Sequence, residues 1–130
     1  MDVPLTRTKI LLPRRPPNLL TRQRLLDLLY DLLDYRLVII AAPAGYGKTS
    51  LLVDLAHQVN MPVCWYALDA LDQDPQRFVA HFVGAIAERF SEFGKQSAAA
   101  LQDTPSPHFN VDRLVSIIVN EAYEQIREHL

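Results

Sequence analysis

The sequence predicts an α/β fold, a parallel sheet flanked by helices, and three observations carry that expectation. A continuous apolar run, Leu37-Val38-Ile39-Ile40-Ala41, lacks the alternation of a half-exposed strand and has the pattern of one covered on both faces. It leads directly into a glycine-bearing segment, Ala42-Pro43-Ala44-Gly45-Tyr46-Gly47-Lys48-Thr49, which in turn opens an apolar-periodic helix. A second apolar run at 63–68 then supplies a further strand candidate.

Along the chain, residues 1–18 are rich in proline and arginine, with a short apolar stretch at 10–12, and read as an extended lead-in because proline disfavours helix. The remainder, 19–130, reads as part of one nucleotide-loop domain. Over 22–34, Leu25, Leu28, Leu29, Leu32 and Leu33 recur at helical spacing, with Thr21 as N-cap and a Leu20/Leu25 staple. After the glycine segment, Leu51, Leu52, Leu55, Ala56 and Val59 mark a second helix ending near Asn60, before Pro62. Asp74-Pro75 gives an N-cap followed by proline in the first helical position, and Phe78, Val79, Phe82, Val83, Ile86 and Phe90 continue at helical spacing. Residues 94–110 read as a loop with at most a short helical turn. Asn110 caps a last helix whose stripe is Val111, Leu114, Val115, Ile118, Val119, Ala122 and Ile126.

An apolar fraction of 49% and a charged fraction of 22% belong to an ordinary globular protein with one core. The net charge of -2 offers no concentrated basic face, so direct nucleic-acid binding by this chain is not expected. One cysteine, Cys64, fits a reducing compartment, and no run approaches a membrane span or a signal h-region, so a cytoplasmic location is expected. His57, His81, His108 and His129 have no partners at metal-ligand spacing.

The segment 42–49 matches the Walker A pattern at every defined position except the first, where alanine replaces glycine. Gly45 and Gly47 permit backbone conformations, and a closeness of approach, that a side chain would obstruct. Backbone N–H groups from Pro43 to Ser50, proline itself excepted, and the positive end of the following helix would then cradle phosphate oxygens. Lys48 can reach the β and γ phosphates as the catalytic cation, and the Thr49 hydroxyl can complete the coordination of Mg²⁺. The expected cofactor-binding set is Pro43, Ala44, Gly45, Tyr46, Gly47, Lys48, Thr49 and Ser50, joined by Arg22. The loop itself suits the triphosphate of ATP or GTP. Hydrolysis also needs an acid on a second strand; Asp69 is the candidate here, and its bland alternative is a turn residue.

With Pro13-Arg14-Arg15-Pro16-Pro17, Leu20-Thr21-Arg22-Gln23-Arg24-Leu25, the glycine segment, Trp65-Tyr66-Ala67-Leu68-Asp69 and Asp74-Pro75-Gln76-Arg77-Phe78 in view, the chain resembles the N-terminal part of the ATPase domain of MalT-like transcriptional regulators. These belong to the STAND class of signal-transduction ATPases, and alanine at the first loop position is usual among them. The resemblance implies an AAA-like parallel sheet acting as an ATP/ADP switch with Mg²⁺. It also implies an incomplete domain whose Walker B acid would follow Leu130, and hence exposed sheet edges, marginal stability and self-association. By resemblance, Arg14, Arg15, Arg22 and Arg24 lie where base and ribose are contacted. Arg22 is preferred because a cation at a helix start is poorly placed for the dipole without a nearby anion. Two other classes remain open: a self-contained small kinase or GTPase using Asp69, and a non-catalytic interaction module that retains the loop shape. Trp65 and Tyr66 are expected to pack in a core.

Overall fold

Five α-helices and two 3-10 turns make up the regular structure of the residues that the computed structural model describes, namely 5–35, 37–43, 45, 47–102 and 110–126. They divide into two compact units, Leu12–Met61 and a second built from Met1–Leu11 with Pro62–Leu130.

In the unit Leu12–Met61, α1 (Gln23–Leu32) packs on α2 (Lys48–Gln58). Leu26, Leu29, Leu51 and Leu55 form its core, with Leu25, Ile40 and Val59 against them. Each fully buried leucine of this kind stabilises the fold by about 1.5–3 kcal/mol. The helix expected over 22–34 is present but shorter, and its buried residues are Leu26 and Leu29, while Leu28 and Leu33 face solvent. Arg22, not Thr21, holds the N-cap position, and the expected Leu20/Leu25 staple does not form, since Leu20 is 81% exposed. The Thr21 hydroxyl is instead engaged by Arg15 at 2.7 Å.

In the other unit, α3 (Pro75–Arg89), α4 (Lys95–Gln102) and α5 (Val111–Gln125) enclose a core of Val79, Val83, Phe93, Leu101, Leu114 and Ile126. Asp74 caps α3 by accepting from Gln76 N with Pro75 in the first position, and Asn110 caps α5 by accepting from Arg113 N, both as the sequence predicts. The segment expected to be a loop at 94–110 contains α4, and residues 103–109 lie outside the described ones. Small residues fill this helix, and its cap comes from far along the chain. Glu121, on α5, accepts from Gln96 N (3.1 Å), Ser97 N (3.0 Å) and Ser97 Oγ (2.6 Å).

The predicted α/β sheet is not observed: among the described residues there is no β-strand. Both strand candidates, 37–41 and 63–68, are neither helix nor strand, and Leu37 and Ile39 are 75% and 77% exposed. The physical reason is that an apolar run supplies side chains, whereas a strand exists only where a neighbour completes its ladder of N–H and C=O groups. Apolar surface is buried by helix-on-helix contacts instead, α1 on α2 and α4 on both α3 and α5. Trp65 and Tyr66 are half-buried; the Tyr66 ring stacks on His81 at 5.7 Å and its hydroxyl donates to Asp72 at 2.8 Å.

Candidate functional site

The two described glycines of the segment 42–49 take left-handed backbone conformations, Gly45 at φ +91° and Gly47 at φ +75°. L side chains are strained there, which accounts for glycine at both positions. At Gly47 a second constraint applies, since an added Cβ would lie 3.2 Å from both terminal nitrogens of Arg22, whereas at Gly45 it would meet open space. Ala44 and Tyr46 lie outside the described residues.

Gly47 is the N-cap of α2, with no side chain to cap the helix, and its carbonyl accepts from Leu51 N at 2.9 Å. The N–H groups of Lys48, Thr49 and Ser50 therefore precede the first intrahelical bond, and the positive end of the helix dipole is presented at the loop. Lys48, half-buried, is the first residue of α2, and its ammonium donates to the Ala42 carbonyl, folding back across the loop. Thr49 and Pro43 are exposed and Ser50 is half-buried.

Arg22 joins this group from the start of α1. Its Nη2 donates to the Gly47 carbonyl at 2.8 Å, across 25 residues of sequence. A guanidinium, an ammonium and a helix N-terminus thus converge on one short loop, an arrangement that favours an anion with several oxygens. The other arginines behave differently: Arg14 and Arg24 are exposed, and Arg15 is in an ion pair with buried Asp54 at 2.7 Å. That pairing, foremost the hydrogen bond from Arg15, holds the Asp54 carboxyl below the usual carboxylate range against the effect of burial. Asp54 was missed by the sequence reading, although a charged residue flanked by Val53 and Leu55 on a buried face is a legible anomaly.

For a metal ion the loop offers the Thr49 hydroxyl, and no group of three or more His, Cys, Asp or Glu side chains that could hold one occurs among the described residues. Asp69 does not stand ready for that role: its Oδ1 accepts from Leu71 N at 2.8 Å and its Oδ2 pairs with Lys9 at 3.0 Å. Its place is the cap of a 3-10 turn, Ala70–Gln73, with Asp72 completing a capping box. Burial pushes the Cys64 thiol up, away from a reactive thiolate. No helix among the described residues is long and apolar enough to cross a membrane.

Comparison with known proteins gives the regulator resemblance independent support. The HTH-type transcriptional regulator MalT of Yersinia enterocolitica is 42% identical over 79 residues, 61% of this chain. The chain is similar to MalT. The MalT of Vibrio cholerae is 41% identical over 80 residues, 61% of the chain, and that of Klebsiella pneumoniae 36% identical over 95 residues, 73% of the chain. The chain spans 9% to 10% of the length of these MalT relatives. No protein-family model and no solved structure matches it.

Proposed function

We propose that the chain is a nucleotide-binding part of a MalT-like transcriptional regulator, taking the phosphates of ATP or ADP with Mg²⁺ at the loop 42–49. The observation that carries this reading is the convergence of Arg22 and Lys48 on the N-terminal end of α2, over two glycines in left-handed conformation. Lys48 leaves the Ala42 carbonyl for phosphate oxygens, which are stronger acceptors because they are charged. The N–H groups at the start of α2 would donate to the same anion, and Thr49 would offer its hydroxyl to the magnesium that the nucleotide carries. Binding of ATP or ADP acts as a switch on the regulator, with transcriptional control as its outcome.

A self-contained kinase or GTPase using Asp69 is disfavoured by the engagement of both Asp69 oxygens. The test is isothermal titration with ATP, ADP and GTP, each with magnesium, beside Lys48→Ala. Adenine-nucleotide binding that weakens at least tenfold in Lys48→Ala supports the proposal. Absence of binding by the folded chain leaves the interaction module as the better reading.

A further inference from the structure

The proline- and arginine-rich segment ahead of α1 is anchored along α2 at three points. The Pro13 carbonyl accepts from His57 Nε2 at 2.8 Å, Arg15 Nε donates to Asp54 Oδ1 at 2.7 Å, and Arg22 Nη2 donates to the Gly47 carbonyl at 2.8 Å. Asp54 lies about two turns beyond Gly47 and His57 about one turn further, so at 3.6 residues per turn all three anchors share one face of the helix. As the segment advances from 13 to 22, its anchors retreat from the C-terminal end of α2 to its N-terminal end. It is a strap laid antiparallel to the helix, and its far end delivers Arg22 to the loop.

Arg15 is the pivot of this strap. Besides its bond to Asp54, its Nη2 donates to the Leu19 carbonyl at 3.1 Å and to Thr21 Oγ1 at 2.7 Å. Leu19 N also donates to the Pro16 carbonyl at 3.1 Å, so the chain turns around the guanidinium between residues 16 and 21. One planar fork thus ties the helix to Leu19 and Thr21 on the approach to α1, a task that a lysine ammonium with its single point of charge cannot reproduce. Asp54 is locked in turn, accepting from Gln58 Nε2 at 2.8 Å.

We infer that Arg15 is a positioning residue for the phosphate loop: through Asp54, Leu19 and Thr21 it fixes the register of the strap along α2, and so the place of Arg22 at Gly47. The Arg15 guanidinium is itself engaged by Asp54, Leu19 and Thr21. The inference rests on the reading of 42–49 as a phosphate site for its functional consequence, but the geometric part can be tested without any ligand.

Removing Arg15 alone strands a buried carboxylate and risks unfolding, so the informative variant is the double replacement Arg15→Met/Asp54→Met, which exchanges a partly buried ion pair for apolar side chains. Two readouts apply to the full chain. The first is the NMR resonance of the Arg22 Nε–H in ligand-free protein. It is expected to sit away from the solvent-exposed arginine position in the parent and to collapse onto it in the double variant; an unchanged resonance overturns the inference. The second is titration with Mg-ATP and with pyrophosphate in the parent, Arg22→Ala, Arg15→Met/Asp54→Met and the triple variant. Arg22→Ala and the double variant are each expected to weaken binding about tenfold, and the triple variant no further than either. Equal, independent losses in both backgrounds would mean a general structural role and sink the proposal. If the parent binds neither ligand, the nucleotide reading fails and the Arg22 resonance alone decides whether Arg15 positions it.

Discussion

Arg22 Nη2 donates to the Gly47 carbonyl across 2.8 Å, and its guanidinium crowds position 47, where an added Cβ would lie 3.2 Å from both terminal nitrogens. Two features that the sequence presents separately, an arginine at the start of one helix and a glycine before another, are therefore one structural unit.

Gly45→Ala and Gly47→Ala separate backbone strain from that contact. Each forces an L residue into a left-handed conformation, costing about 1–2 kcal/mol, and urea denaturation should give similar losses for both. Gly47→Ala additionally pushes on Arg22, so its affinity for Mg-ATP should fall further than that of Gly45→Ala. Equal affinities in the two variants would show that Arg22 has no part in binding.

Asp69→Asn tests the rival enzyme. Because Asp69 caps a 3-10 turn and pairs with Lys9, its replacement should lower the unfolding midpoint while leaving nucleotide affinity within about twofold of the parent. A large loss of magnesium-dependent nucleotide affinity or turnover, with unchanged stability, would restore Asp69 as a magnesium acid.

Lys9, Tyr66 and Asp72 set a stability profile with two limbs. Burial would raise the Asp72 carboxyl, but hydrogen bonds from Lys9, the Asp69 backbone and Tyr66 hold it well below the usual carboxylate range. Its folded pKa lies below its unfolded value, so its stabilisation is complete above about pH 4 and is lost as the pH falls further. Lys9, which burial alone would lower, is raised by Asp72 and Asp69, and burial together with Asp72 raises the Tyr66 phenol. Those two contributions are complete below about pH 10 and lost above it. The urea midpoint should stay level from about pH 5 to 9 and fall on either side, with Asp72→Asn lowering the plateau and shrinking the acid limb.

Glu121→Ala should release the first turn of α4. The carboxylate replaces a local cap for Gln96 and Ser97, and loss of a cap costs about 0.5–2 kcal/mol. Amide exchange at Gln96 and Ser97 should accelerate well beyond that at Leu114 in α5. Uniform acceleration would mean that Glu121 supports the whole unit and not that helix end.

The helices were legible in the sequence where their signals were local. Asp74-Pro75 and Asn110 announce α3 and α5 because the cap and the first turn are adjacent in the chain. The start of α4 was not legible, since its cap is Glu121, 24 residues from Ser97. Leu37 to Ala41 shows the opposite failure: five consecutive apolar residues promised a strand, but strand formation depends on a partner that composition does not specify. The glycine segment was fully legible as a pattern, yet nothing in it revealed that Arg15 and Asp54 tie down the chain leading to Arg22. Ion pairs between a lead-in and a helix have no periodicity to read.

The most direct test of the proposed phosphate site is a map of backbone amide shifts during titration of the chain with Mg-ATP. Saturable shifts centred on Gly45, Gly47, Lys48 and Thr49, together with the Arg22 side chain, are expected, as is their loss in Lys48→Ala. A folded chain whose loop amides stay unmoved at saturating nucleotide would contradict the proposal.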